Sequence, residues 1–195
     1  MRKIFLIILS VMMIFSLTGC GDSVSEKNSA NSQNHSKILV AYFSCTGNTK
    51  NLAENAADIL QADLYEIKPK VPYTPEDLNY KDETARATAE QRDEKARPEL
   101  ADKNLNLGQY NTVVIAYPIW WHIAPRIIET FLESYDFSGK KIIPICTSGG
   151  SDLVESVDNL KNISGNKVEW IEGKCFFKNY TKDEIKRYFD TLNLK

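Results

Sequence analysis

Six consecutive residues, Ser44-Cys45-Thr46-Gly47-Asn48-Thr49, bring together three hydroxyls, an amide, a thiol and a glycine. They follow the apolar run Ile38-Leu39-Val40-Ala41-Tyr42-Phe43 and precede a helical pattern of Leu52, Ala53, Ala56, Ala57 and Leu60. A hydroxyl-rich turn between a buried strand and a helix N-terminus is a site for a phosphate. The free N–H groups of the first helical turn point at the anion, and the helix dipole favours negative charge there. Gly47 lets the backbone come close, while Ser44, Thr46, Thr49 and Asn48 offer side-chain donors. The ATP-binding pattern Gly-x-x-x-x-Gly-Lys-Ser/Thr and the dinucleotide pattern Gly-x-Gly-x-x-Gly are both absent from the sequence.

Two later stretches end apolar runs in the same way. One is Tyr117-Pro118-Ile119-Trp120-Trp121-His122, the other Thr147-Ser148-Gly149-Gly150-Ser151. Adjacent tryptophans in a loop are unusual, because a structural Trp normally lies within the apolar stripe of an element. Two glycines among three hydroxyl residues can bring backbone donors against a planar polar edge. Taken singly, each has a plainer reading: the Trp pair plugs the end of a sheet, and Gly149-Gly150 is a turn into a helix. The coincidence of three such loops at strand ends favours a common ligand.

Cys45 raises a different possibility, that of a nucleophile at a helix N-terminus, where a thiol pKa is lowered. Cys45-Thr46-Gly47-Asn48-Thr49-Lys50-Asn51 resembles the start of the loop in low-molecular-weight tyrosine phosphatases and arsenate reductases. In those enzymes the loop ends in Arg, which clamps the transition-state charge; here Asn51 stands in its place, and no Asp-Pro pair is present to act as general acid. Cys146 and Cys175 sit in apolar surroundings without a Cys-x-x-Cys or His/Cys cluster, so no metal site and no disulfide framework is evident.

These loops need strands to carry them. Ala62-Asp63-Leu64-Tyr65-Glu66-Ile67 alternates in polarity, as an edge strand does, whereas Thr112–Tyr117 and Lys141–Cys146 are continuous apolar runs suited to buried parallel strands. Pro144 cannot donate to a ladder, so a bulge or register break is expected there. A last strand opens at Val168–Ile171 and continues or restarts around Cys175-Phe176-Phe177. Helical stripes lie between: Ile127, Ile128, Phe131 and Leu132 after a first-turn Pro125; Leu153, Val154, Val157 and Leu160; and Ile185, Tyr188, Phe189 and Leu192 after a Thr181–Glu184 capping box. Residues 79–97 read as a charged, solvated helix in an enlarged crossover, with no function assigned. Strands alternating with helices imply a three-layer, doubly wound, five-stranded parallel sheet. With the second strand at the edge, its order is 2-1-3-4-5, and a ligand belongs at the carboxyl ends of strands one and three.

The Ser-x-Thr-Gly-Asn-Thr stretch resembles the FMN phosphate loop of flavodoxins. Together with Tyr-Pro-Ile-Trp-Trp and Cys-Thr-Ser-Gly-Gly-Ser it is similar to a flavodoxin-like lipoprotein family of bacteria, over residues 37–190. The resemblance implies FMN as cofactor. Ser44, Cys45, Thr46, Gly47, Asn48 and Thr49 would hold its phosphate. Pro118, Ile119, Trp120 and Trp121 would flank the isoalloxazine, and Thr147, Ser148, Gly149, Gly150 and Ser151 would line its pyrimidine side. His122 either hydrogen-bonds the flavin or a substrate, or caps the following helix. Many flavodoxins carry a glycine beside the flavin N5; none occurs between Tyr110 and Phe137, so that redox-tuning device does not transfer.

The 195-residue chain divides into three parts. Residues 1–19 read as a lipoprotein signal peptide: Arg2 and Lys3, the apolar stretch Ile4–Phe15, then Leu17-Thr18-Gly19-Cys20. Residues 20–36 are a Ser/Asn-rich tether beginning at Cys20, the lipidation site by resemblance, and 37–195 form one domain. An uncleaved signal anchor is the plainer alternative. The expectation is an exported protein, lipid-anchored on the outer face of the bacterial cytoplasmic membrane. Loss of Arg2 and Lys3 with the signal moves the formal charge from −2 to −4. That mild balance, without a basic aromatic patch, argues against nucleic acid, and equally against the strongly acidic docking of typical flavodoxins. The leading function is an FMN-binding redox protein serving an unidentified donor and acceptor, either as an electron shuttle or as an FMN-dependent NAD(P)H oxidoreductase. The alternatives are a Cys45-dependent phosphatase-like enzyme and a flavin-binding module without turnover.

Overall fold

The structure, a computed structural model, describes residues 37–164 and 167–194. The signal peptide, Cys20 and the tether lie outside the described residues. In chain order the elements are β1 (Ile38–Tyr42), α1 (Asn48–Leu60), β2 (Asp63–Glu66), α2 (Arg86–Arg92), β3 (Thr112–Pro118), α3 (Arg126–Ser134), β4 (Lys141–Ser148), α4 (Val154–Ser164), β5 (Glu169–Trp170), β6 (Lys174–Phe177) and α5 (Lys182–Thr191).

Every strand pairing is parallel, and the order is β2-β1-β3-β4-β5, with β6 also paired to β4. Alternation along the strands divides the core between two faces. Leu39, Ala41, Phe43, Ile115 and Tyr117 face Ile127, Ile128 and Phe131 of α3 and Leu160 of α4. Val40, Tyr42, Val114, Ala116 and Ile143 face Leu52, Ala53 and Ala56 of α1 and Ile185 and Phe189 of α5. The chain therefore forms the three-layer, flavodoxin-like α/β fold that its element order implies. The anticipated α5 capping box is present: Glu184 N–H donates to Thr181 Oγ1 at 3.2 Å, and Thr181 N–H donates to Glu184 Oε2 at 2.9 Å.

Pro144 acts on the sheet otherwise than expected. The β3–β4 register runs unbroken, with Ile115 opposite Pro144. Ile142 O accepts from Ile171 N at 2.9 Å on the far side of β4, so Pro144, two residues on, also points its missing N–H toward that side. There the neighbouring strand is interrupted. β5 stops at Trp170 and β6 restarts at Lys174, so the fifth strand is two pieces.

The helix expected over 79–97 is shortened to the seven residues of α2. Three acidic or amide side chains bond backbone N–H groups two residues on and compete with the helix: Asn79 Oδ1 with Lys81 N, Asp82 Oδ1 with Thr84 N, and Asp93 Oδ1 with Lys95 N. What remains is not solvated, because Ala87, Thr88 and Gln91 are buried.

Candidate functional site

The carboxyl ends of β1, β3 and β4 open into one cleft of about 880 Å³. The chain leaves β1 toward β2 on one side and β3 toward β4 on the other, so the cleft lies at the switch point of the sheet.

At one end stands the β1–α1 turn. Gly47 holds φ at +87°, a left-handed value that glycine adopts freely, and a Cβ there would meet nothing within 4 Å. Its N–H donates to Ser44 Oγ at 3.1 Å, and Asn48 Nδ2 donates to Thr46 Oγ1 at 3.2 Å. The first intrahelical bond is Asn51 N to Gly47 O, so the N–H groups of Asn48, Thr49 and Lys50 have no carbonyl of the helix to bond. α1 carries no side-chain cap and no acidic residue in its first turn. The positive end of its dipole is thus left for an external anion. Thr49 is 1% exposed, and its hydroxyl lies 2.7 Å from that of Thr147.

Across the cleft, Trp120 and Trp121 have separate tasks. Trp120 packs edge-on against Phe43 and Tyr73, with ring centroids 5.6 and 5.4 Å away. Its backbone pairs in both directions with Ile123, at 2.9 and 3.1 Å, closing a two-residue turn. The turn residues are Trp121, at φ 45°, and His122, at φ 72°. Turns with two such residues are normally Asn-Gly, and each non-glycine residue held there costs roughly 1–3 kcal/mol. Strain of this kind persists only where the surroundings impose it. Here Gln91 Nε2 of α2 donates to Trp120 O at 2.8 Å and to Ala124 O at 3.3 Å. Arg126 in turn donates to Glu90 O and Gln91 O, at 3.3 and 2.9 Å, and pairs with buried Glu129 at 2.6 Å. The result is a turn that presents Trp121, 40% exposed, to the cleft.

Twelve of the sixteen anticipated site residues line this cleft: Ser44, Cys45, Thr46, Asn48, Thr49, Pro118, Ile119, Trp120, Trp121, Thr147, Ser148 and Gly149. Gly47, His122, Gly150 and Ser151 adjoin these lining residues in the chain without lining the cleft themselves. His122 Nδ1 lies 3.3 Å from Ser151 Oγ, linking the two loops, and it does not cap α3, whose N-cap is Pro125. Cys45 reaches the cleft, yet its surroundings remove water from a thiolate and push the thiol up to about 12; Arg86 opposes this and Glu90 adds to it. Cys45 is exposed at the cleft wall, and desolvation of its thiolate there outweighs the lowering expected from the helix N-terminus.

Two walls went unread in the sequence. Leu78, Tyr80 and Ala87 come from the β2–β3 connection, and Phe177, Lys178, Asn179 and Tyr180 from the β6–α5 turn. The signal for the second wall was available, since the turn follows the carboxyl end of a strand like the other three. Tyr180 OH donates to Asn48 O at 3.2 Å and lies as close to Asn51 Oδ1, docking this turn on the phosphate loop. Among the described residues, Lys178 is the one charged residue lining the cleft, and no carboxylate lines it.

A doubly wound sheet with an anion-ready turn facing a tryptophan across its switch point defines a flavin-nucleotide protein of the flavodoxin class. The chain belongs to the flavodoxin family, which matches residues 37–192. It is similar to a candidate flavoprotein of Bacteroides uniformis, with 39% identity over 80% of this chain and 98% of that one and a TM-score of 0.77. A candidate flavoprotein of Bacteroides eggerthii is 42% identical over 82% of this chain and 99% of that one, with a TM-score of 0.76. A flavoprotein of Lactobacillus acidophilus solved in complex with FMN shares the fold at 22% identity, covering 72% and 93% of the two chains, with a TM-score of 0.57. Among curated proteins none matches. The cofactor that the resemblance implies is FMN, and the residues fit it. The uncapped N-terminus of α1 with the Ser44 and Thr46 hydroxyls suits the phosphate, and open space at Gly149 suits close approach of a ring edge.

Proposed function

We propose that this chain is an FMN-binding redox protein working at a membrane surface, where it exchanges electrons with a small planar substrate at the mouth of the cleft. The observation that carries the reading is the meeting of the β1, β3 and β4 loops in one cleft, anion-ready at one end and aromatic at the other. FMN bound there supplies one- and two-electron redox chemistry. The protein's part is to anchor the phosphate through the α1 N-terminus, Thr46 and Lys178, to orient the ring against Trp121, and to exclude water with Ile119 and Trp120.

Exchange with a small substrate is favoured over docking of a basic carrier protein by two features. Among the described residues no carboxylate lines the cleft, and its exposed rim is aromatic: Tyr80, Trp121 and Phe177. The phosphatase alternative finds no arginine clamp in the site, because Asn51 stands at that position and its side chain bonds Tyr180. The membrane part of the proposal rests on the Leu17–Cys20 box and the tether. Among the described residues no helix is long and apolar enough to cross a membrane. In this reading a lipid on Cys20 provides the attachment.

The test is purification of the full chain from membranes and its visible spectrum. A yellow protein with one noncovalent FMN, tighter for FMN than for riboflavin, is expected. A colourless protein that takes up no added FMN, yet hydrolyses p-nitrophenyl phosphate in a Cys45-dependent way, would overturn the reading. Cys20→Ser should abolish lipid labelling, and unchanged labelling would remove the anchor.

A further inference from the structure

Cys146 and Cys175 are far apart in sequence, but the sheet makes them partners. They stand directly opposite each other on the parallel neighbours β4 and β6. In-register residues on adjacent strands point to the same face, and the strands run about 4.8 Å apart. A disulfide needs Cα atoms about 4.4–6.8 Å apart with side chains on one side, so the backbone already meets that demand. Both are free thiols, and both pack against the same side of the core.

Their environments differ in a useful way. Cys146 is fully buried, whereas Cys175 is partly exposed. Interaction with the Cys146 side chain, helped by Ser148, holds the Cys175 thiol below its ordinary value, while the Cys175 sulfur and burial together push Cys146 well above its own. As a thiol, Cys175 Sγ lies 3.6 Å from Ser151 O, its contact with the β4–α4 loop. The reachable sulfur is therefore the one that ionises first, and the buried sulfur waits behind it.

We propose that Cys146 and Cys175 form a reversible dithiol–disulfide couple, with Cys175 as the attacking thiol and Cys146 as the resolving thiol, oxidised by exchange with an external disulfide. In the first step Cys175 gives up its proton and its sulfur attacks one sulfur of R–S–S–R, forming a mixed disulfide as R–S⁻ leaves and takes a proton. In the second, Cys146 loses its proton and attacks Cys175 Sγ, and the second R–S⁻ leaves and is protonated in turn. Two protein thiols lose two electrons and two protons, and one external disulfide becomes two thiols. The new bond would replace the Cys175 contact to Ser151 and tie β4 to β6. Since Phe176, Phe177 and Lys178 follow Cys175 directly and line the cleft, the couple would set the stiffness of that wall.

The experiment uses the full chain loaded with FMN, equilibrated with mixtures of reduced and oxidised glutathione, then alkylated and digested for mass spectrometry. A Cys146–Cys175 linked peptide should grow with the oxidised fraction and vanish with dithiothreitol, while Cys45 stays alkylatable. Cys146→Ser should instead accumulate glutathione on Cys175, and Cys175→Ser should give neither product. Cys146→Ala serves where the serine does not fold, retention of bound flavin showing that each variant has folded. Glutathione on Cys45 with Cys146 and Cys175 both still alkylated would overturn the proposal, as would a Cys146 variant with no adduct on Cys175.

Discussion

Thr49 and Thr147 hold their hydroxyl oxygens 2.7 Å apart, joining the first turn of α1 to the end of β4 across 98 residues of chain. One of the two donates to the other. If Thr147 is the donor, the Thr49 proton is left to point at an anion in the turn. Thr46 differs, being exposed and accepting from Asn48.

The two threonines should therefore respond differently to loss of the hydroxyl. Thr46→Val should weaken FMN about 10- to 100-fold, as expected for a hydrogen bond to a charged group worth roughly 1.5–3 kcal/mol, with little change for riboflavin or for stability. Thr49→Val strands the Thr147 hydroxyl in a partly buried position, so it should also lower stability by about 1–3 kcal/mol. The double change Thr49→Val with Thr147→Val should recover part of that stability without recovering FMN. Flavin titrations by fluorescence and urea unfolding read the two quantities. Equal losses for FMN and riboflavin in Thr46→Val would mean a damaged fold rather than a lost phosphate contact.

Trp120 and Trp121 should separate cleanly. Trp120→Ala removes a ring wedged between Phe43 and Tyr73 and should cost the apoprotein about 3 kcal/mol. Trp121→Gly relieves a left-handed non-glycine residue, so the apoprotein should gain up to about 1 kcal/mol while FMN binding weakens. Thermal unfolding of the apoprotein and quenching of Trp fluorescence on adding FMN measure both effects. A loss of stability in Trp121→Gly with normal flavin affinity would make Trp121 a packing residue.

Much of this site was legible because parallel strands with continuous apolar runs fix their own order once one edge is known. Asp63–Glu66 betrayed that edge by alternating, and the switch-point rule then gathered three loops from distant parts of the chain. The strained turn was not legible, since Trp121-His122 carries no turn signal; its shape comes from Gln91 and Arg126, tertiary partners outside the turn. The role of α2 was hidden for the same reason, as its composition reads solvated while its Gln91 is buried against the Trp loop. The bulge or register break expected at Pro144 does not form, and the interruption lies in the neighbouring strand instead. The direction of the missing Pro144 N–H depends on register, and the periodicity of a single strand does not reveal register.

The ionisable groups of the core predict the response to alkali. Desolvation in the cleft wall raises the exposed Cys45 thiol to about 12, and burial with Asp63 pushes Tyr110 up to about 12. Tyr73, Tyr117 and Tyr188 are raised further, mainly by burial. Above pH of about 8.5 the unfolded chain starts to lose these protons while the folded chain keeps them, so the slope of unfolding free energy with pH is negative. Stability should be fully present below about pH 8.5 and fall steadily toward pH 12, seen as a declining urea midpoint. Iodoacetamide at pH 8 should label Cys45 more slowly in the native protein than in urea. A midpoint flat between pH 9 and 11 would contradict the burial of these groups.

Gly173 and Pro144 supply the last prediction, at the break between β5 and β6. A Cβ on Gly173 would meet Pro144 O at 2.3 Å, Leu153 Cδ2 at 2.5 Å and Pro144 Cγ at 2.6 Å. The leucine tip can move, but the carbonyl belongs to a central strand paired on its other side and cannot. Gly173→Ala should therefore destabilise by at least about 1–3 kcal/mol, the range for overpacking a filled core. The displaced chain leads directly into Phe176, Phe177 and Lys178, so FMN affinity should fall alongside stability. Adding Pro144→Ala removes the Cγ contact but leaves the carbonyl, and should rescue only part of the loss. A neutral Gly173→Ala would mean that the interruption of the strand is loosely packed, and that Pro144 does not dictate where β6 begins.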